Sequence, residues 1–213
     1  MSEDKKAVKP HKRTASDYSE LVRNHKPTRN PLTHFSVCPP LLTFESQNKE
    51  EEILLLMRRH IITNVPWILG FLVMVLAPLS LSFFPTLDFL PIRFQSLLLI
   101  FWYLFSFGWF WEQFLAWYFN VYIITDERVI DVDFYSLIYK NVSATKIDNI
   151  EDVTYTTSGA LQSLLNFGTI MVQTAAEKRQ FEFEHVPNPD VVAGFLNEMI
   201  LEEEREDMEG RVR

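Results

Sequence analysis

The sequence predicts a membrane-anchored α+β protein, in which a hairpin of two transmembrane helices precedes a β domain that is capped by a C-terminal helix. One observation is a pair of uncharged stretches, from Ile61 to Leu87 and from Phe94 to Trp111. About 20 helical residues cross the roughly 30 Å hydrocarbon layer, and both stretches meet or approach that length. The other observation is a change from helical to alternating hydrophobicity after about residue 119.

The alternative is a soluble protein that buries both helices. The second stretch argues against it, because aromatic residues lie on all of its sides and leave no face for water. Trp and Tyr near its ends also match the aromatic belts of membrane interfaces. We therefore expect the lipid bilayer to surround both helices.

The 213 residues divide into four segments. They are a mostly disordered basic tail (1–47), an interfacial helix plus the hairpin (48–119), a β domain with its capping helix (120–201) and an acidic tail (202–213). The spans are expected at about 64–86 and 94–118. The basic tail is rich in Lys, Arg and Pro and poor in apolar residues, as disordered segments are. It could be attracted to anionic lipid or simply be solvated, and the sequence leaves both open.

The interfacial helix is predicted from Asn48 to Ile62. Acidic residues begin this segment, an apolar run follows, and Arg58 and Arg59 come near its end, an order that suits the helix dipole. An amphipathic helix of this kind would lie in the cytoplasmic interface before the first span begins.

Basic residues set the expected orientation. Arg58 and Arg59 precede the first span and Arg128 follows the second, whereas the loop Asp88–Arg93 holds a single basic residue. The positive-inside rule then predicts a multi-pass plasma-membrane protein with both termini in the cytoplasm. The first 30 residues contain no apolar core of a cleavable signal peptide. A single cysteine, Cys38, excludes an internal disulfide and suits a reducing compartment.

Alternating apolar and polar residues predict the β domain. Val121–Thr125 and Arg128–Phe134 flank a polar turn and should form a hairpin. Further strands are expected at Leu137–Ser143, Ile150–Thr156, Ile170–Thr174 and Gln180–Glu184, giving six or seven short strands in all. Asp131 with Asp133, and Glu182 with Glu184, would then lie on the solvent faces of their strands rather than act as paired acids.

The last predicted element is a helix that covers the open end of the sheet. Asn188 is a suitable N-cap, Pro189 suits the first helical position and Asp190 favours the first turn. The apolar stripe that follows consists of Val191, Val192, Phe195, Leu196, Met199 and Ile200. The acidic residues beyond it are expected to form a solvated helix end.

Several short motifs in this order resemble a known family. They are Glu52–His60, Tyr122-x-x-Thr125-x-x-Arg128, Ile147-x-x-Ile150-x-Asp152-Val153, Leu161 with Leu164 and Leu165 before Phe167-Gly168-Thr169-Ile170, and Val186-Pro187-x-Pro189. Over residues 44–200 the chain resembles the bacterial pleckstrin-homology (PH) domain membrane proteins, in which two spans precede a PH-like domain. The resemblance implies a seven-stranded, partly open β-barrel with one capping helix, and no settled activity.

The resemblance also bears on binding partners. PH domains that bind phosphoinositides place basic residues around the first hairpin turn, to meet phosphates with charge-assisted hydrogen bonds. Here that turn contains Asp126 and Glu127, and residues 126–213 hold eight Lys or Arg against 18 Asp or Glu. We expect no phosphoinositide binding and no nucleic-acid partner.

No catalytic, cofactor or metal site is predicted. The five histidines are scattered without metal-ligand spacing, and neither a Gly-rich phosphate loop nor a Gly-x-Ser-x-Gly motif occurs. The leading hypothesis is a non-catalytic membrane protein that presents a cytoplasmic PH-like domain for protein binding or assembly, including assembly as a homo-oligomer. A subunit of a transport or channel complex is the alternative, and a membrane enzyme is the least supported.

Glu112 is the one ionisable residue inside either predicted span. It lies about 27 Å along a helix that starts at Phe94, which places it near the cytoplasmic interface. A carboxylate in a span needs a partner, a proton or nearby water. We expect an ionic pair with Arg58, Arg59 or His60, and a proton or ion site is the alternative.

Overall fold

The computed structural model describes residues 19–24, 32–39, 47–48, 51–81, 90–134, 139–175 and 180–208. Most of the predicted basic tail lies outside these ranges, as do the end of the first predicted span and the first two residues of the loop 88–93. The elements in chain order are α1 (Glu20–Asn24), β1 (Phe35–Val37), β2 (Ile53–Arg58), α2 (Val65–Leu81), α3 (Ile92–Phe119), β3 (Val121–Thr125), β4 (Arg128–Phe134), β5 (Lys140–Lys146), β6 (Ile150–Thr156), α4 (Ala160–Leu165), β7 (Phe167–Thr174), β8 (Gln180–Pro187) and α5 (Pro189–Met208). Single 3-10 turns lie at Ile61–Asn64 and Ile147–Asn149.

The described strands form two antiparallel sheets. Sheet one has the order β1-β2-β3-β4-β5, and sheet two has the order β6-β7-β8. β5 and β6 follow each other in sequence but belong to different sheets, so each is an edge strand. The sheets therefore do not close into a barrel, and the domain has one strand more than the seven that the family resemblance implied.

The segment predicted as an interfacial helix contains β2 instead. All six residues of Ile53–Arg58 are buried, and the strand pairs with β1 on one side and β3 on the other. The apolar run is continuous, so it has no polar face to present to water. A short run of this kind fits a strand that is covered on both faces, but its periodicity alone does not distinguish it from a helix. β1 lies inside the tail that was predicted to be disordered, and its pairing with β2 holds it in place.

Sheet one is covered on both faces because its two sets of side chains join different clusters. Leu55 and Met57 of β2 belong to the main core, which lies between the sheets and α5. A smaller cluster on the opposite face is made of Ile53, Leu56, Ile123 and Ile130. Tyr122 and Phe183, with ring centroids 4.7 Å apart, join the two sheets inside the main core.

The capping helix is present, but it begins differently from the prediction. Asn188 has a left-handed backbone (φ 49°), and its side chain accepts a hydrogen bond from Asn166 at 2.8 Å. Its carbonyl, instead of its side chain, accepts bonds from the amides of Val191 and Val192. Along α5, Val192, Phe195, Leu196 and Met199 are buried in the main core. The helix continues to Met208, beyond the predicted boundary at residue 201, and Glu202 is buried.

The predicted hairpin of β3 and β4 and the predicted bounds of β6 are confirmed. The strand predicted at Leu137–Ser143 lies further along the chain, at Lys140–Lys146, and residues 135–138 are outside the described ranges. Pairing along the whole of β4, from Arg128↔Lys146 to Phe134↔Lys140, sets this register. The partner strand, more than the local sequence, determines where β5 begins.

The two long helices form an antiparallel pair in which a tryptophan compensates for a proline. Pro78 lies inside α2 and has no N–H to donate to the Met74 carbonyl four residues earlier. The indole N–H of Trp102 in α3 donates to that carbonyl at 2.8 Å. Gly70 allows close approach, because a Cβ built there would lie 3.2 Å from the ring of Trp109. Satisfaction of a freed carbonyl by a neighbouring helix is typical of membrane helices.

Candidate functional site

The two sheets meet along one side of the domain, where β2 and β8 approach each other. Nη2 of Arg59, directly after β2, contacts Oε2 of Glu184 in β8 at 2.9 Å. The amide of Glu184 donates to the hydroxyl of Tyr122 at 3.1 Å. We call the group formed by Arg59, Tyr122, Asp131, Asp133 and Glu184 the acidic seam. Three carboxyl groups and one guanidinium are thus gathered where the sheets join.

Asp131 and Asp133 face the interior instead of the solvent, which corrects the prediction. Asp131 lies opposite Tyr122 in the β3–β4 pairing, and by alternation it shares a face with the fully buried Val129. Alternation identified the two faces of β4 correctly. It assigned the wrong face to solvent, because apolar residues cover both sides of sheet one. Glu184 is also half-buried, whereas Glu182 is exposed as predicted.

Burial dominates the electrostatics of the acidic seam. It raises the pKa of Asp131 to about 7, and the neighbouring Asp133 adds to this effect while Arg59 opposes it. Burial also raises the pKa of Asp133, again with Arg59 opposing. Oδ1 of Asp131 is buried without a hydrogen-bond donor among the described residues. The acidic seam can therefore hold a proton near neutral pH. Within the described ranges, no three His, Cys, Asp or Glu residues are grouped to hold a metal ion.

Arg58, the first residue of the predicted ionic cluster, is buried where α3 meets sheet one. Its Nε donates to the carbonyl of Tyr118 at 2.9 Å, and its Nη1 donates to the carbonyl of Thr33 at 3.0 Å. The guanidinium also lies 4.7 Å from the centroid of the Tyr118 ring. Arg58 therefore ties the last turn of α3 to the sheet.

The structure does not bring the other members of the predicted cluster together. Arg59 pairs with Glu184, and the ring of His60 stacks on Phe167 with centroids 4.9 Å apart. Burial lowers the pKa of His60, and its Nδ1 accepts a hydrogen bond from the Ile62 amide. Glu112 is exposed on α3, and none of these contacts involves it. Its pairing stays a prediction.

The helices enter the β domain without a linker. α3 ends at Phe119, and β3 begins at Val121 after the single residue Asn120, whose side-chain oxygen accepts from the Phe134 amide. Before α2, the carbonyl of Arg59 accepts a hydrogen bond from the indole of Trp117 in α3 at 3.0 Å. Helices and sheet are thus held to each other by backbone and side-chain contacts.

An open edge lies where the chain passes from sheet one to sheet two, at β5 and β6. In the described chain β5 pairs with β4 alone and β6 with β7 alone, which leaves one side of each strand unpaired. Val142 in the middle of β5 is half exposed, and Lys140 and Lys146 end the strand. Edge lysines discourage unspecific pairing between sheets. The open edge, defined by β5 and β6, can accept a further strand.

The first hairpin turn is held to the segment before β2 by charged and polar contacts. Arg128 contacts both carboxylate oxygens of the buried Glu51 at 2.8 Å. Burial alone would raise the pKa of Glu51, but hydrogen bonds from Arg128 and from the Asn48 amide lower it below its ordinary value. Asn48 also donates to Glu127 at 3.0 Å. The absence of phosphoinositide binding stays a prediction.

A known protein family and a solved structure are similar to this chain. Residues 61–200, from the 3-10 turn before α2 to the second half of α5, match the family described as Bacterial PH domain. Among solved structures, the chain is similar to a DUF1696 family protein with a pleckstrin-homology domain from Shewanella loihica PV-4. That similarity has 20% identity and a TM-score of 0.28, and it covers 37% of this chain and 66% of the other. No curated protein matches.

Proposed function

Because the chain belongs to the bacterial PH domain family, we propose that it is a non-catalytic membrane-anchored protein whose PH-like domain binds a protein partner or another copy of itself. The observation that carries this proposal is the open edge. A strand with one unpaired side offers a row of N–H and C=O groups to an incoming strand. Added strands of this kind are a recurring mode of peptide and protein recognition.

The exposure of both long helices supports membrane anchoring. The segments Ile61–Ser80 and Ile92–Phe119 are long and apolar enough to cross a bilayer, and few of their side chains are buried. A surface of exposed Leu, Phe and Trp on this scale would be poorly soluble, so it needs lipid or protein around it. The bond from Trp102 to the carbonyl freed by Pro78 adds support, since an unsatisfied carbonyl is costly in hydrocarbon. With the positive-inside bias, we place the PH-like domain and both termini in the cytoplasm.

A site-specific crosslinking experiment tests partner binding. A photoreactive amino acid is placed at Val142, in the open edge, and as a control at Asp190, exposed at the start of α5. Crosslinking is carried out in native membranes with the full chain. We expect a discrete protein adduct at Val142 that is absent at Asp190, and its mass separates a second copy from another protein. No adduct at Val142, or the same adducts at both positions, would contradict the proposal.

A further inference from the structure

The connection between β6 and β7 differs in charge from the turns at the opposite end of the β domain. At the far end, away from the helices, the turn Asp126–Glu127 and the 3-10 turn Ile147–Asn149 carry acidic side chains, and Glu51 pairs with Arg128. At the near end, where the chain enters α2 and leaves α3, the connection between β6 and β7 has no charged residue and contains Leu161, Leu164 and Leu165.

Contacts to His60 place this connection beside the helix entrance. His60 immediately precedes Ile61, the first residue of the first apolar segment. Its ring stacks on Phe167 at an angle of 9°, and its amide donates to the carbonyl of His185 at 2.7 Å. α4 ends at Leu165, two residues before Phe167. The leucines of α4 therefore lie next to the point where the chain would enter the membrane.

The leucines of α4 do little for the fold. Leu164 is 80% exposed and Leu161 is 67% exposed, and α4 has no buried residue. Polar groups shape the turn: the Ser158 amide donates to Gln162 Oε1 at 2.6 Å, and Asn166 ends the helix in a left-handed conformation. Three leucines in six residues, presented outward on a turn that polar bonds hold, are available for contact with an external apolar phase.

The segment of sequence that contains α4 is uncharged. No Asp, Glu, Lys or Arg occurs from Val153 to Ala176, a range that includes the end of β6, α4 and all of β7. A charged side chain would oppose entry into the membrane interface, whereas Leu and Phe favour it. Lipid also suits α4 better than an acidic or basic protein partner, because this segment has no charge for such a partner to pair with.

We propose that α4 is a membrane-contacting turn, whose Leu161 and Leu164 insert into the interface of the leaflet that α2 enters. This inference rests on the proposed membrane anchoring. The two helices fix the distance of the domain from the bilayer, and α4 adds a third contact that fixes its tilt. The open edge is then held at a set angle to the membrane surface.

Fluorescence quenching in vesicles of neutral phosphatidylcholine tests the insertion. The full chain, in a Cys38→Ser background, carries a fluorophore at Leu164→Cys or at Leu161→Cys. The far-end control is Asp148→Cys, and the membrane control is Leu72→Cys, on the exposed side of α2. Each label is quenched by nitroxide lipids, with the nitroxide high on the acyl chain, and separately by aqueous iodide.

We expect lipid nitroxides to quench the Leu164 and Leu161 labels several-fold more than the Asp148 label, and iodide to show the reverse order. Suppose that iodide quenches the α4 labels as strongly as the Asp148 label, while lipid nitroxides quench the Leu72 label. This result would overturn the inference but leave the membrane anchoring intact. Protection of the α4 labels from both quenchers would overturn it too, because protein would then cover the turn. A Leu72 label that lipid does not quench would overturn the anchoring itself.

Discussion

Replacing Asp131 with Asn should stabilise the protein, and the gain should grow with pH. Burial raises the pKa of Asp131 from 3.8 to about 7, so between these values the folded state holds a proton that the unfolded state has lost. The contribution of Asp131 to the free energy of unfolding is thus fully present below about pH 3.8, and it is lost as the pH rises through about 7. A shift of this size corresponds to at most about 4 kcal/mol. Because solvent reaches part of the side chain, we expect about 1–2 kcal/mol.

Thermal unfolding of the full chain in detergent measures this difference. Above about pH 7.5, Asp131→Asn should raise Tm by about 2–8 °C, and near pH 4 the two proteins should unfold at the same temperature. The control is Asp148→Asn, which removes the same formal charge from an exposed position at the far end. If Asp131→Asn gives the same Tm change at both pH values, or destabilises at high pH, Asp131 is not the proton-holding group of the acidic seam.

Two further contacts give measurable couplings. Trp102→Phe should lower the free energy of unfolding by about 1 kcal/mol, because it removes the hydrogen bond to the Met74 carbonyl. In a Pro78→Ala background most of this loss should disappear, because the restored amide of residue 78 can donate to the same carbonyl. Equal costs in both backgrounds, measured by unfolding in mixed micelles, would exclude the compensation. At the far end, Arg128→Ala should destabilise the protein by about 3 kcal/mol, because it leaves the buried Glu51 carboxylate without its cation. Glu51→Ala should destabilise it by about 2 kcal/mol, because it removes that buried charge. The reverse order in denaturant titrations would contradict this account.

The sequence predicted correctly those elements that are identified by a pattern within one short segment. The two long helices follow from uncharged length, and the β3–β4 hairpin follows from alternation around a polar turn. The capping helix follows from its apolar stripe, although Asn188 supports its start through the backbone carbonyl instead of the side chain. In each case the pattern that identifies the element lies within one segment of sequence.

β2 could not be predicted in the same way, because its conformation depends on distant partners. Ile53–Arg58 becomes a strand by pairing with β1 and β3, and β3 follows only after both long helices. Without those partners, acidic residues before an apolar run and basic residues after it match an interfacial helix equally well. The error at β2 also hid the acidic seam, since Arg59 reaches Glu184 only because β2 delivers it to the junction of the sheets.

The placement of β2 has a mechanical consequence for the whole molecule. β2 leads into α2 through the single turn at Ile61–Asn64, and α3 leads into β3 through one residue, while β2 and β3 are neighbours in sheet one. Arg58 then binds the last turn of α3 from the end of β2. A rotation of one helix against the other would therefore have to distort the centre of sheet one. The PH-like domain is thus joined to the hairpin through the centre of sheet one, and under the proposed function a partner at the open edge would bind at a fixed position relative to both helices.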